Sequence, residues 1–469
     1  MIAIPLQGHI NPFVQLAIKL ASKGFTITFV NTEYIHHQIS TSNGNQFDIF
    51  AGARESGLDI RYATISDGFP LDFDRKQNMG VFWESMLSNF PLLVDEFVGK
   101  VLIEECSSSD HQMCLVADTF YTWPATIAEK YNMANVSFWT QPAMVYAISF
   151  HLDLLRENGH FPPTGNNEEN TINYIPGIKS FRRKDLMSHF QESDTSTIVH
   201  KMVFKAFEEV KKADFVLHNT MHELESYTLS TLNRNQPTYA IGPINFSNHQ
   251  FHNIISVSKS IHSEVDCTKW LDSKPLGSVL YVSFGSHVRV NQHVFEEIAQ
   301  GLVLSGVDFI WAIRPQQIDH DKNNLDNVDR ERGLIVSWCN QIDVLSNTAV
   351  GAFLTHCGWN SILESIWCGV PMICYPVLYD QPTNRKLVVD DWKVGIDLCD
   401  DHRTCPITRV NVADKVKRFM SNGREMMSQE MKKLRSIVHN ALAEDGSSEK
   451  NFDQFLRDLE NKMQRIILN

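Results

Sequence analysis

The stretch from Gly351 to Pro376 reads GAFLTHCGWNSILESIWCGVPMICYP, and its pattern decides the fold. A short apolar run ends at Thr355 and is followed by a polar turn that contains glycine. The next apolar side chains recur at helical spacing until Gly369, after which a second apolar run begins. This order of strand, turn, helix and strand is typical of a parallel sheet with crossover helices.

Similar apolar runs alternate with helical patterns along the rest of the chain, as in FTITFV at 25–30, CLVAD at 114–118 and VLYVSFGS at 279–286. Because 469 residues exceed what one hydrophobic core usually supports, we predict two α/β domains. A stretch rich in Ser, His and Asn after Gly242-Pro243 indicates the linker. The predicted boundaries are 1–244 for the N-terminal domain, 245–265 for the linker, 266–445 for the C-terminal domain and 446–469 for a closing helix.

Each predicted domain opens with a strand that ends in a glycine-containing turn, QGH at 7–9 and SFGS at 283–286. Ligands of open parallel sheets bind outside the carboxyl ends of the strands, so we expect both turns in one cleft. The helix that follows His356 would present free backbone N–H groups, which favour a phosphate. Asn360 and Ser361 would add side-chain donors, and Glu364, one turn later, could accept from ribose hydroxyls.

Composition excludes several classes of protein. The chain is 43% hydrophobic and 21% charged, which is typical of a folded globular protein. Its net charge of −13 would repel nucleic acid and anionic membrane surfaces. The nine cysteines are scattered without metal-ligand spacing, and the chain has neither a secretory signal pattern nor an apolar run long enough to span a membrane. We therefore expect a cytoplasmic protein without a membrane span, a nucleic-acid partner or a bound metal. We also expect it to be a monomer.

From Trp338 to Gln381 the chain resembles, at full length, the signature box of the plant secondary-product glycosyltransferases, which are family 1 UDP-glycosyltransferases. The likeness extends to GHINP at 8–12, SDGF at 66–69 and FWT at 138–140, and within the family it is similar to the UGT86 branch. The resemblance implies an α/β protein of the GT-B fold, with two facing Rossmann-like domains, parallel sheets and an interdomain cleft. It also implies that the N-terminal domain binds the acceptor and the C-terminal domain binds the UDP-sugar.

The resemblance assigns roles to the residues of the box. Trp338 would stack on uracil and Cys339 would meet it through the backbone, while Asp380 and Gln381 would bind sugar hydroxyls. Asn340 and Asn347 depart from the family, which usually has proline and histidine there. The full set expected to bind the UDP-sugar is Ser286, Trp338, Cys339, Gln341, His356, Trp359, Asn360, Ser361, Glu364, Asp380, Gln381 and, from the N-terminal domain, Thr140.

His9 and Asp118 are the expected catalytic pair. A histidine with a pKa near neutrality can take the proton of an acceptor hydroxyl, and a carboxylate at a neighbouring strand end would orient it. Pro12 suits the first position of the helix that follows His9. Family members usually carry a longer first strand, and we expect the segment before His9 to be shorter here. The chain also lacks an Asp-x-Asp metal motif in a suitable loop, so no cofactor is expected beside the donor substrate UDP-glucose.

The resemblance implies inverting transfer of a hexose to a hydroxyl of a small lipophilic plant metabolite, giving a β-O-glycoside. Gln381 at the end of the box favours glucose. A nucleotide-sugar epimerase and a catalytically silent UDP-sugar-binding protein remain alternatives, whereas GHINP has too few glycines for a nicotinamide oxidoreductase. Candidates for the acceptor pocket are Phe13, Trp83, Phe120, Met144 and Phe190, although residues of these types more often belong to the ordinary core.

Overall fold

The computed structural model of the protein describes its 469 residues except 44–47, 106–111, 164–170, 248–263, 287–289, 315–331, 400–405 and 469. As predicted, it is an α/β structure whose two main sheets are parallel. One sheet is built by the N-terminal half and the other by the C-terminal half. Most of the predicted linker, 248–263, lies outside the described residues, and Val265 re-enters beside the box by donating its N–H to the Trp338 carbonyl at 2.8 Å.

The N-terminal sheet is assembled around the first residues of the chain. The strands of the N-terminal half, in chain order, are β1 (Ile27–Thr32), β2 (Ile60–Ile65), β3 (Cys114–Asp118), β4 (Ala134–Trp139), β5 (Thr171–Ile172), β6 (Phe181–Arg182), β7 (Phe215–His218) and β8 (Thr238–Ala240), of which β5 and β6 lie outside the parallel sheet. The order β3-β4-β7-β8 is parallel, β1 and β2 form a second parallel pair, and β5 and β6 form an antiparallel one. Ile2 bridges both Val30 and Ala117, so the segment before His9 joins the two parallel parts.

The C-terminal sheet has six parallel strands in the order β11-β10-β9-β12-β13-β14. Its central strands are buried along their whole length, which explains why their sequences are continuously apolar rather than alternating. The strands are β9 (Val279–Ser283), β10 (Asp308–Ala312), β11 (Gly333–Val336), β12 (Val350–Thr355), β13 (Met372–Cys374) and β14 (Gly395–Asp397).

Helices cover both sheets. The described helices of the N-terminal half are α1 (Gln7–Ser22), α2 (Glu33–Asn43), α3 (Ala51–Glu55), α4 (Met79–Ser88), α5 (Phe90–Glu105), α6 (Pro124–Lys130), α7 (Ala143–Phe150), α8 (Leu152–Glu157), α9 (Ile198–Glu209) and α10 (His222–Leu232). Those that follow are α11 (Thr268–Leu271), α12 (Gln292–Ser305), α13 (Gln341–Ser346), α14 (Trp359–Cys368), α15 (Gln381–Lys386), α16 (Arg409–Arg418), α17 (Arg424–Ala441) and α18 (Ser447–Leu468). In the described part of the chain, none of them is long and apolar enough to cross a bilayer.

The last helix, α18, returns to the N-terminal half. Phe452 and Phe455 are fully buried in the same hydrophobic cluster as Leu16 and Phe138. The buried ammonium of Lys19 on α1 pairs with the Glu449 carboxylate at 2.5 Å. The end of the chain therefore packs against the domain at its beginning.

The start of α1 differs from the prediction. The helix begins at Gln7, so Pro12 lies inside it rather than at its first position. Proline has no N–H, and the Gly8 carbonyl four residues earlier is therefore left without its helical donor. That carbonyl instead accepts a hydrogen bond from Asn360 Nδ2 at 2.8 Å. The first turn of α1, which carries His9, is thereby bonded to the C-terminal half.

Candidate active site

A cavity of about 410 Å³ lies between the carboxyl ends of the two sheets. His9, Phe120 and Thr140 line it from the N-terminal half, and His356 and Asp380 line it from the C-terminal half. The sequence places these residues far apart, and the facing sheets bring them together. Both glycine-containing turns named in the sequence analysis, QGH at 7–9 and SFGS at 283–286, thus open into the same cavity.

His9 is held from one side. Its Nδ1 lies 2.7 Å from Asp118 Oδ2 and 3.1 Å from the Thr140 hydroxyl. The other oxygen of Asp118 accepts from the Phe120 backbone N–H at 3.1 Å, which fixes the carboxylate at the end of β3. Because Nδ1 is engaged, Nε2 is the ring nitrogen that can take a proton from a ligand in the cavity.

The charges around His9 raise its pKa. Burial alone would lower it, but the charge and hydrogen bond of Asp118 and the charge of Asp380 outweigh burial and raise the pKa of His9 above its ordinary value. The carboxylate pair thus stabilises the imidazolium that forms when His9 accepts a proton.

The residues expected to bind ribose are bonded to one another at the junction of α13 and α14. Gln341 Nε2 donates to Glu364 Oε2 at 2.6 Å and to the Ser361 hydroxyl at 3.0 Å, and its Oε1 accepts from the Tyr281 hydroxyl at 3.2 Å. Burial raises the pKa of Glu364 to about 7. Asn340, which stands where the family usually has proline, caps α13 by accepting from the backbone N–H of the second residue of that helix at 3.1 Å.

His356 is packed against backbone. A Cβ on Gly285 or on Gly358 would lie 2.5 Å from His356 Nε2, so neither position has room for a larger residue, and Gly285 also has a φ of +72°. Burial lowers the pKa of His356 to about 4, which keeps the ring neutral. The ring is therefore held beside the N-terminus of α14 as a neutral hydrogen-bonding group.

Asp380 and Gln381 close the site at the start of α15. Asp380 Oδ2 accepts from Asn384 Nδ2 at 2.6 Å, and burial raises the pKa of Asp380 to about 6. Gln381 Oε1 accepts from the backbone N–H groups of Val377 and Leu378 at 2.8 and 2.9 Å. Because the loop before α15 uses the Gln381 oxygen, the NH₂ group is the part of this side chain left to hydrogen-bond a sugar hydroxyl.

Two residues of the box contact the opposite half. Trp359 lines the cavity, but its indole N–H donates to the Asn219 carbonyl at 2.7 Å, and Asn360 donates to Gly8 as described above. Ser286, Trp338 and Cys339 also line the cavity. Thr140, expected to reach the sugar, lines the cavity, and its hydroxyl lies 3.1 Å from His9 Nδ1.

Three of the five acceptor-pocket candidates are corrected. Phe13, Met144 and Phe190 are almost fully buried in hydrophobic clusters and are absent from the cavity wall, because their side chains point into the packing between helices and sheets. Trp83 and Phe120 do line the cavity.

Sequence reasoning missed most of the wall on the N-terminal side, which is apolar and drawn from several helices. Its apolar members include Ile4, Leu6, Val14, Ile39, Ile49, Met79, Trp139, Val145, Met187, Ile198, Val199, Met202 and Val203. It also missed His189, whose ring lines the same cavity. No local pattern marks these residues, since they are separated along the chain by up to two hundred positions.

Two facing α/β halves with parallel sheets and a ligand-sized cleft between them define a protein of the GT-B class. The profile of the family described as UDP-glucoronosyl and UDP-glucosyl transferase matches residues 246–441. UDP-glycosyltransferase 86A1 of Arabidopsis thaliana is 49% identical over 481 aligned positions, which cover all of this chain and 96% of that protein. The chain therefore belongs to the plant UDP-glycosyltransferase family, and the resemblance to the UGT86 branch is confirmed.

Solved structures of this class superpose along nearly the whole chain. Os79 from O. sativa, in complex with UDP, has a TM-score of 0.81 and 25% identity over 98% of this chain and all of that one. UGT2 of Phytolacca americana, complexed with UDP-2fluoro-glucose and pterostilbene, has a TM-score of 0.75 and 25% identity over 98% of each chain. These similarities confirm the GT-B fold.

Proposed function

We propose that this UDP-glycosyltransferase transfers glucose from UDP-glucose to a hydroxyl of a small lipophilic plant metabolite and inverts the anomeric centre. The observation that carries the proposal is the His9–Asp118 pair at 2.7 Å, which lines the same cavity as the residues of the Trp338–Gln381 box. A base on one wall and a nucleotide-sugar box on the other is the arrangement that direct transfer requires.

In the proposed reaction, His9 Nε2 takes the proton of the acceptor hydroxyl while the hydroxyl oxygen attacks the anomeric carbon of glucose. The bond from that carbon to the β-phosphate oxygen breaks, and UDP leaves with the electron pair. Asp118 stabilises the imidazolium. A single displacement without a covalent enzyme intermediate gives a β-glycoside from an α-linked donor.

The departing UDP would be stabilised by donors of the protein itself. The first backbone N–H groups of α14 and the side chains of Ser361, Asn360 and His356 lie along the same wall. In the absence of nucleotide, Asn360 donates to Gly8, so binding of the diphosphate would compete with this contact. This donor set supports metal-independent catalysis, and EDTA should leave the initial rate unchanged.

Glucose is proposed as the sugar because Asp380 is a buried acceptor and Gln381 presents a fixed donor beside it. The loss of one matched hydrogen bond to a sugar hydroxyl in a dry site discriminates between epimers by roughly tenfold or more. The Phytolacca americana relative, whose solved complex holds UDP-2fluoro-glucose, supports this choice.

The test is incubation of the protein with UDP-glucose and a panel of phenols and terpenoid alcohols, read by mass for an added hexose and by NMR for the anomeric configuration. Parallel kinetics with UDP-galactose, UDP-xylose and UDP-glucuronate measure donor choice. A β-glucoside and a preference for UDP-glucose of at least about tenfold are expected. An α-glycoside would overturn the single displacement. Nucleotide binding without any hexose transfer would favour the silent binder, and isomerisation of the sugar would favour the epimerase.

The scattered cysteines support a cytoplasmic location as a further part of this proposal, and we propose that the protein is a monomer. All seven cysteines that the structure describes are free thiols, which is compatible with a reducing compartment. Size-exclusion chromatography with light scattering, read against the 53.6 kDa of one chain, tests the oligomeric state.

A further inference from the structure

His189 is a buried polar side chain on the mostly apolar acceptor side of the cavity. It lies in a short 3₁₀ turn, Ser188–Gln191, and is 8% exposed. Neither of its ring nitrogens has a hydrogen-bond partner among the residues that the structure describes. Because a buried polar group without a partner is costly, a ring that lines a cavity in this state is suited to bonding a ligand.

The turn that carries His189 is fixed on both sides. The Ser188 N–H donates to the Tyr379 carbonyl at 2.8 Å, and the Tyr379 N–H donates to the Ser188 hydroxyl at 2.8 Å. The His189 carbonyl is 2.6 Å from His200 Nε2. Tyr379 immediately precedes Asp380, so the backbone of this turn is anchored to the loop proposed to hold the sugar. The ring itself packs edge-on against Phe190, with ring centroids 4.5 Å apart.

His218 is a second buried histidine whose ring nitrogens have no described partner, and it differs from His189 in its position relative to the cavity. Its two ring nitrogens also have no hydrogen-bond partner among the described residues, but it is fully buried on β7 and does not line the cavity. A ligand cannot reach His218. His189 differs in facing a space large enough for a small molecule.

The charges of the residues that line the cavity limit the kinds of acceptor that can bind there. Burial, followed by the charge of nearby His200, lowers the pKa of His189 to about 3, so the ring is neutral and offers one N–H donor and one lone pair. The residues described as lining the cavity include no Lys or Arg, while Asp380 and Glu364 are both there. An anionic acceptor would therefore find no Lys or Arg among these residues and would be repelled by the carboxylates.

We infer that His189 is a specificity-determining residue that binds a second, neutral oxygen of the acceptor, a hydroxyl or a carbonyl remote from the hydroxyl that receives the sugar. The inference rests on the proposed function and names its substrate class as neutral, lipophilic molecules with at least two oxygen functions. His9 selects the reacting hydroxyl, and His189 fixes the other end of the molecule.

The test uses naphthol, acetylnaphthols with the acetyl group at different ring positions, and the matching hydroxynaphthoates. The proteins compared are the wild type, His189→Phe, His189→Gln and, as a matched control, His218→Phe. Acceptor affinity of the UDP-saturated protein is measured by fluorescence, and kcat/KM is measured with UDP-glucose. Selectivity is taken as a ratio between two acceptors, which does not depend on the fraction of folded protein.

The wild type and His218→Phe should prefer at least one acetylnaphthol over naphthol by about tenfold or more and should bind the naphthoates worst. His189→Phe should bring that preference to within about twofold, and His189→Gln should retain part of it because the amide can still hydrogen-bond. A wild type without the preference, or a His189→Phe protein that keeps it, overturns the inference. Preference in binding without hexose transfer overturns the proposed function alone, and transfer without the preference overturns the role of His189 alone.

Discussion

The two walls of the cavity are built on different principles. On the C-terminal wall, polar side chains are bonded to each other and to local backbone, as in the contacts of Gln341 with Glu364 and of Gln381 with its own loop. On the N-terminal wall, most of the side chains are apolar. Two histidines also line this wall: His9 has one ring nitrogen available to a ligand, and His189 has two. The comparison teaches that the C-terminal wall is preorganised for one polar ligand, whereas the N-terminal wall selects by shape and a few isolated hydrogen bonds.

The largest effect is expected from His9→Ala, which should abolish the function of the N-terminal wall in catalysis and leave nucleotide binding on the C-terminal wall intact. Turnover should fall by roughly 10³–10⁴ because the acceptor hydroxyl loses its base. The affinity for UDP should change by less than about twofold, since the nucleotide contacts are proposed for the opposite wall. Calorimetry with UDP and product formation measured on the same preparation check this. A loss of UDP affinity as large as the loss of turnover would show that the walls do not act separately.

Asp118→Asn should reduce turnover by roughly 10²–10⁴ while the protein stays folded, because the amide keeps the shape and removes the charge. Asp118 raises the pKa of His9, and the base is active only when neutral. The wild-type rate should therefore fall as the pH drops through this raised pKa, and in Asp118→Asn the acid limb should move to lower pH. Thr140→Val, which removes the other group near Nδ1, is the control and should cost less than about tenfold. An unshifted acid limb would contradict the pairing.

Glu364→Gln tests the preorganised wall. Its donor KM should rise roughly tenfold at pH 8 with little change in acceptor KM, because a carboxylate accepts from ribose hydroxyls more strongly than an amide. Burial raises the pKa of Glu364 to about 7, so the wild-type donor KM should increase as the pH falls below about 7 and the carboxylate is protonated. The variant should lose this step and keep only an effect nearer pH 6 from Asp380. If the donor KM of the two proteins had the same pH dependence, the role of the Glu364 carboxylate in donor binding would be ruled out.

Gln381→Glu tests the amide donor alone, since a carboxylate oxygen can still accept from the Val377 and Leu378 N–H groups. The preference for UDP-glucose over UDP-galactose should drop to about threefold or less at pH 8, because the donor to the sugar is lost. UDP lacks the sugar and serves as the control ligand, whose affinity should change by no more than about threefold. An unchanged preference for UDP-glucose over UDP-galactose would mean that another group distinguishes the two sugars.

The smallest effect is expected for the hydrogen bond from Asn360 to the Gly8 carbonyl, which connects the two walls. Pro12→Ala restores an N–H that competes with Asn360 for the Gly8 carbonyl. Asn360 is then released more easily to the diphosphate, so the donor KM should fall by about threefold with kcat unaltered. Pro124→Ala is the matched control because Pro124 occupies the first turn of α6, where no helical donor is missing. Equal changes in the two variants would show that the Gly8–Asn360 contact has no role in donor binding.

The difference between the walls also explains what could be read from the sequence. The donor wall is one contiguous segment whose strand, turn and helix are specified locally. As its pattern predicts, α14 ends before Gly369, which caps the helix in the left-handed conformation. The prediction for the start of α1 is wrong because the preference of proline for the first helical turn is only a local tendency. Here it is outweighed by the Asn360 donor, which satisfies the Gly8 carbonyl from the other half.

By itself, the sequence determined the two-sheet α/β architecture and the segment that forms the donor wall, because apolar periodicity and turn residues act over a few positions. Only the tertiary structure decided which apolar side chains face the cavity, since Phe13 and Phe120 are the same residue type and differ only in what packs against them. The same holds for His189 and His218. A neutral, buried imidazole becomes a binding group only where distant segments leave a space in front of it, and that space is a property of the packed fold.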